Sequence, residues 1–116
     1  MKSTRQIGKE GEDRAVEYLL HKGYRVVSRN YSTRKGEIDC IAFAPDNTLV
    51  FIEVKCAEKS KQGHPFTWVN RAKQKTIAYM AQSYLTDHDL SDIGCRFDVI
   101  AVCGEQIEHL PDAFWA

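Results

Sequence analysis

Residues 36–55, GEIDCIAFAPDNTLVFIEVK, hold two apolar runs on either side of Pro45-Asp46-Asn47. Proline presets a turn and Asp and Asn close one with their own side chains, so 38–43 and 49–54 read as neighbouring antiparallel strands. Leu49, Val50, Phe51 and Ile52 show no polar alternation, the pattern of a strand buried on both faces. Charge collects at one end of the pair: Glu37 and Asp39 on the first strand, Glu53 and Lys55 on the second. Alternation puts Glu37 with Asp39 on one face, and Glu53 with Lys55 on one face. Pairing of Asp39 near Glu53 then brings two carboxylates and an ammonium together at the rim of the sheet.

Outward from this hairpin, Ile7, Gly11, Ala15 and Leu19 recur at i+4 and predict a helix over 4–22, with Val16 and Leu20 widening its stripe. Ser3 or Thr4 can cap its start, and Gly23 supplies its stop. Gly8, Gly11 and Ala15 form a small-residue edge that lets this helix approach the sheet closely. A first strand reads over 24–31, followed by a polar turn at 32–36, and the stretch 56–65 reads as a polar loop. A second helix over 67–85 places Val69, Ala72, Thr76, Met80 and Tyr84 along one side, with Ile77 and Ala81 beside them. Strands at 96–102 and 106–110 complete the order α-β-β-β-α-β-β. One mixed sheet flanked by helices is the α/β architecture expected.

The chain of 116 residues is 43% apolar and 28% charged, the balance of a globular protein, and its length suits one domain over 1–116. No apolar run is long enough to span a bilayer and Met1 leads into a charged helix, so a cytoplasmic protein without membrane contact is expected. Cys40, Cys56, Cys95 and Cys103 form no C-x-x-C pair and lie mostly in apolar runs, as reduced core thiols do. His21, His64, His88 and His109 lack ligand spacing and are given no metal role. The net charge is zero but uneven: +5 over 1–36, −4 over 37–54, +5 over 55–75 and −6 over 76–116. Two basic segments flank an acidic one; they are either solvated faces or a basic rim that grips phosphates around a carboxylate cluster.

The chemistry of that cluster follows from its residue types. Opposed carboxylates destabilise apolar strands, and a hard divalent cation removes the conflict. Mg²⁺ takes oxygen ligands, characteristically one or two carboxylates plus waters and substrate phosphate. Lys55 is then suited to orient an attacking water or to stabilise a phosphate, since it carries charge without competing for the metal. The plainer alternative makes Glu53 and Lys55 a same-face ion pair on an exposed sheet. Glu12, at the margin of the first helix's buried stripe, is the third acidic candidate, and its alternative is a carboxylate favoured by the helix dipole. Lys73 and Gln74 on the second helix are candidates for phosphate or water contacts, or belong to a solvated basic face.

Gly8-x-x-Gly11-Glu12-x-x-Ala15, Gly23-Tyr24, Asn30-Tyr31, Gly36-Glu37-Ile38-Asp39, Phe51-Ile52-Glu53-Val54-Lys55, Val69-x-x-x-Lys73-Gln74 and Arg96-Phe97-Asp98-Val99 together resemble the YraN family of bacterial proteins. The resemblance runs through nearly the whole chain, including Ala113-Phe114. It implies a restriction-endonuclease-like core, α-β-β-β-α-β, related to archaeal Holliday junction resolvases. It also implies a PD-(D/E)XK site in which Glu12, Asp39, Glu53 and Lys55 match the acidic and basic positions. On that reading Glu12, Asp39 and Glu53 hold Mg²⁺ or Mn²⁺, and Lys55 assists the nucleophilic water. The substrate is DNA, with branched or recombination intermediates in view, and Lys59, Lys61, Arg71, Lys73 and Gln74 are the expected nucleic-acid contacts. A homodimer suits an enzyme that must reach both strands. In one departure, Ala57 stands where the family usually has arginine two residues beyond the lysine. The rival is a non-catalytic module that keeps the fold and binds nucleic acid or protein.

Overall fold

The computed structural model describes residues 3–57 and 69–114, with only the backbone of Thr4 and Ala57. In chain order its elements are α1 (Thr4–His21), β1 (Arg25–Thr33), β2 (Gly36–Phe43), β3 (Leu49–Ala57), α2 (Arg71–Asp87), β4 (Cys95–Cys103) and β5 (Gln106–Leu110). The turn between β2 and β3 forms as its residues dictate. Asn47 takes φ 70°, its N–H donates to the Ala44 carbonyl at 2.8 Å, and Asp46 Oδ1 accepts from the Thr48 N–H at 3.0 Å. Ser3 caps α1 in a reciprocal box with Gln6, and Gly23 at φ 88° ends it.

The strands form one sheet in the order β1-β2-β3-β4-β5. β3 and β4 are parallel and the other pairs antiparallel. A parallel pair needs a crossover, and α2 lies within it. Leu49, Val50, Phe51 and Ile52 are at most 1% exposed, so the central position read from their pattern holds. Leu49 and Phe51 pack toward α2 with Ile77, Met80 and Tyr84, whereas Val50 and Ile52 pack toward α1 with Ala15 and Leu19. Each such side chain contributes ~1.5–3 kcal/mol by leaving water.

Several expectations shift. β1 runs two residues further than 24–31 implied, and β3 continues through Cys56 and Ala57, which had been read as loop. α2 starts at Arg71, because Asn70 is extended and caps it by accepting from the Lys73 N–H. Its buried side is Ile77, Met80, Ala81, Tyr84 and Leu85; Ala72 is exposed and Thr76 half-buried, so the stripe is turned from the expected one. Leu20, expected within the α1 stripe, is 54% exposed. Of the cysteines only Cys40 is buried, while Cys95 is exposed; all four are free thiols. No helix among the described residues is long and apolar enough to cross a membrane.

Two glycines set how closely the helices approach. A Cβ on Gly11 would lie 2.1 Å from Cys56 Sγ, so α1 rests on β3 only because residue 11 has none. A Cβ on Gly36 would meet Thr76 Cγ2 of α2 at 3.2 Å. Gly8, by contrast, has open space around it. A polar network locks the other end of the α1 face. Asp98, 0% exposed, accepts from Arg96 Nε at 3.0 Å, from His109 Nε2 at 2.7 Å and from the Asp112 N–H at 2.9 Å. Arg96 donates on to the Tyr24 hydroxyl at 2.7 Å, and the other His109 nitrogen meets the Tyr18 hydroxyl at 3.0 Å. Burial pushes the Asp98 carboxyl up, but its partners outweigh that and hold it below the ordinary range.

Candidate functional site

The β1–β2 ladder shifts register between Val26 and Ser28, and beside the centre of the sheet the pairing opens altogether. The β2–β3 pairing runs from Phe43↔Leu49 to Cys40↔Ile52 and no further, while β3 stays paired with β4 as far as Ala57↔Cys103. On the other side of β2, Arg29↔Cys40 and Tyr31↔Ile38 are paired, but Asn30 and Asp39 between them are not. Asn30 takes φ 55°, a conformation that Asn tolerates better than most residues. The alternation slips there: Ile38 and Ile41, three residues apart, both pack toward α2. Strict alternation, and with it the simple sharing of one face by Glu37 and Asp39, therefore does not hold. Asp39 instead fills the opening between the strands, where its Oδ2 accepts the Val54 N–H at 2.8 Å.

Glu53 lies beside it on the α2 side and is 3% exposed. Lys73 Nζ, from the first turn of α2, stands 2.5 Å from Glu53 Oε2, and Lys55 Nζ is 3.9 Å from the same oxygen. Glu53 Oε1 is buried and, among the described residues, has no hydrogen-bond donor. Burial pushes the Asp39 carboxyl up, and the adjoining Glu53 carboxyl pushes it further, to about 7, against the opposing effects of the Val54 N–H and Lys73. Burial lowers Lys73, but its bond to Glu53 outweighs that and keeps its proton more firmly bound than usual.

A cleft of ≈ 450 Å³ opens at Asp39, between the β1–β2 turn (Lys35, Gly36, Glu37) and α2 (Ala72, Lys73, Thr76, Ile77). A second, of ≈ 690 Å³, lies on the α1 side and is lined by Arg5, Lys9, Glu12, Arg29, Asn30 and Glu37. With its nitrogen turned toward the carboxylates, the Asn30 amide donates to Glu37 Oε1 at 2.8 Å and Glu12 Oε1 at 3.2 Å. Burial, then the charges of Asp39 and Glu37, raise the Glu12 pKa. Glu12 is thus an electrostatic neighbour of Asp39 across the end of the sheet.

The structure therefore brings Asp39, Glu53, Lys55 and Lys73 together and sets Glu12 in the adjoining cleft. Among the described residues, no three His, Cys, Asp or Glu side chains form a group that could hold a metal ion by themselves. What meets at the α2-side cleft is a pair of carboxylates. The pair fits a hard divalent cation: a buried oxygen lacks a partner, its neighbour resists ionisation, and Mg²⁺ commonly takes one or two carboxylates with waters. Gln74 braces the start of α2 by donating to the Val69 carbonyl at 2.8 Å, and Arg71 is exposed there. Lys59 and Lys61 lie outside the described residues. The Lys73–Glu53 pair was not legible as such, although basic residues in the first turn of a helix, where the dipole favours acids, were a signal of it.

Among the described residues these elements define a mixed α/β protein with a five-stranded sheet, two helices and a carboxylate–lysine cluster where the central strands part. Residues 11–102, which span that cluster, match the family model described as uncharacterised protein family UPF0102. A UPF0102 protein of Prosthecochloris aestuarii is 42% identical, the alignment covering 95% of this chain and 94% of the relative. One of Chlorobium limicola is 45% identical over 94% of this chain and 92% of its own, and one of Persephonella marina 41% identical over 92% and 91%. The chain belongs to UPF0102, the YraN family.

Proposed function

We propose that this chain is a metal-dependent endonuclease that hydrolyses phosphodiester bonds in DNA, with the whole chain forming one restriction-endonuclease-like domain. The observation that carries the reading is the buried, donorless Oε1 of Glu53 beside a carboxyl that resists ionisation. Buried polar groups are ordinarily paired, and a bound cation would pair this one. Asp39 and Glu53 would hold Mg²⁺ or Mn²⁺, with Glu12 adding negative charge from the neighbouring cleft. When bound, such a cation supplies charge neutralisation and an acidified water.

The chain's own side chains do the rest. Lys55, half-buried and 3.9 Å from Glu53 Oε2, would offer a cation to the phosphate or the attacking water. Lys73 neutralises Glu53 before substrate arrives and is placed to turn toward a phosphate. Arg71 extends the basic first half of α2 outward, and Lys59 and Lys61 add to the basic segment before it. The test is cleavage of branched and linear DNA with Mg²⁺ or Mn²⁺. Loss of activity in Asp39→Ala and Glu53→Ala is expected, and cleavage undiminished in both would refute the assignment. Sedimentation at working concentration tests the homodimer that two-strand cleavage favours.

One observation favours a second reading, a binding module without catalysis. Lys73 at 2.5 Å already compensates one oxygen of Glu53 without any metal. Calorimetry separates the two, since the enzyme must bind a divalent cation and lose that binding in Asp39→Ala.

A further inference from the structure

On α2 the wall of the Asp39 cleft is made by Ala72, Lys73, Thr76 and Ile77, and the helix continues beyond them. Tyr79 follows Ala72 and Thr76 at i+7 and i+3, on the same side of α2. Tyr79 is 58% exposed, the highest value among the large apolar side chains found exposed in the described residues. Lys35, which lines the opposite wall, holds its Nζ over the ring at 5.6 Å from the centroid. Lys75, exposed, stands one turn back on the same helix. The ring is thus an exposed aromatic surface next to Lys35, a wall residue of the cleft that holds Asp39, with a second cation, Lys75, one turn away on α2.

We propose that Tyr79 is a stacking platform for an unpaired nucleobase, so that the cleft takes a single-stranded stretch of DNA with its backbone toward Lys35 and Lys75. The inference rests on the nuclease reading only for what happens at Asp39; the stacking itself does not need it. Stacking on an aromatic ring is open to every base, and flanking cations meet the phosphates on either side of it. A base inside an intact duplex offers no free face, so the platform selects strands that are unpaired at the cleft. A protein partner fits less well. Among the described residues the other exposed large apolar side chains, Leu20 and Val27, are on α1 and β1, so these residues give Tyr79 no apolar surround of the kind a protein interface core has.

The test uses the full chain, with fluorescently labelled single-stranded and blunt duplex oligonucleotides and a single strand carrying 2-aminopurine. Tyr79→Ala is expected to weaken single-strand binding ~10-fold and to abolish quenching of 2-aminopurine, with duplex binding changed less than ~2-fold. Tyr79→Phe, which keeps the ring, is expected to behave as wild type. No single-strand binding by the wild type, equal losses on both DNAs in Tyr79→Ala, or loss in Tyr79→Phe would each overturn the proposal. Divalent-dependent cleavage with single-strand affinity intact in Tyr79→Ala sinks the platform and leaves the nuclease. Strands held through Tyr79 but never cut sink the nuclease and leave the platform.

Discussion

The Asp39–Glu53 contact makes the metal-free protein sensitive to pH in a direction opposite to that of an ordinary paired carboxylate. Asp39 has its pKa raised from 3.8 to about 7, so the folded state disfavours its ionised form. Below the unfolded value the group is protonated in both states and carries no penalty. As pH rises through about 7 the folded state must ionise it beside Glu53, and stability is lost. The full shift corresponds to ~4 kcal/mol, and the group's partial exposure brings the expected loss to ~2–3 kcal/mol. Asp39→Asn removes the ionisation, keeps an oxygen to accept the Val54 N–H, and can donate to the orphan Oε1 of Glu53. The variant should therefore be more stable than wild type by ~2–3 kcal/mol at about pH 8 and nearly equal to it at about pH 4, in chelator-treated samples. Urea denaturation at the two pH values measures this, and Tm at the higher pH should rise by roughly 10 °C. A variant less stable than wild type at about pH 8 would show that the two carboxyls do not burden the fold as argued. In wild type, Mg²⁺ should restore the stability lost at high pH, and in Asp39→Asn it should not.

Gly11→Ala should cost ~1–3 kcal/mol from the collision with Cys56, and Cys56→Ala in the same chain should recover most of it; thermal denaturation of the single and double variants checks the cycle. Asp98→Ala strands Arg96 and His109 and should cost ~3–5 kcal/mol near neutral pH. Because the Asp98 carboxyl is held low, its contribution is present above the unfolded pKa and lost as pH falls through the folded one; equilibrium unfolding should show this acid-side loss in wild type and not in the variant. Lys73→Ala leaves Glu53 with only the 3.9 Å contact to Lys55, so the metal-free protein should lose ~1–3 kcal/mol. Millimolar Mg²⁺ should narrow that deficit, and a deficit unmoved by Mg²⁺ in a thermal-shift titration would speak against a cation at Glu53.

The parts of the fold that depend on neighbouring residues were legible. The turn at Pro45-Asp46-Asn47 and the doubly buried 49–52 each carry their cause within a few positions, and the small-residue edge of α1 showed where that helix could approach the sheet, though not that Cys56 is what Gly11 meets. The slip at Asn30 and Asp39 does not, because a left-handed Asn inside a strand is fixed by how the two ladders meet. The phase of α2 failed for a related reason: Ala72 and Thr76 fit an apolar stripe by type, yet the helix turns them to a cleft that exists only once β2 and β3 part. His109 has no ligand spacing and was set aside, but its partner was visible. Arg96 and Asp98 are two apart in an apolar strand and so share a face, and a buried aspartate there needs further donors.

Asp98 and Glu53 give the comparison that supports the proposal of a site at the sheet end. Both are carboxylates with almost no exposure, on adjacent parallel strands of one sheet. The fold saturates Asp98 from Arg96, His109 and the Asp112 backbone, and so lowers its pKa. At Glu53 the two lysines converge on one oxygen, the other has no donor, and a second carboxyl is set against it. An unsatisfied buried acceptor costs ~1–3 kcal/mol, so the arrangement is not one that stability alone selects. It also falls where β2 and β3 stop pairing and the Asp39 cleft opens beside α2, so that a ligand can reach Asp39 without parting a formed ladder. Incomplete satisfaction and access coincide there, and that coincidence, absent from the Asp98 network, is what the proposed site rests on.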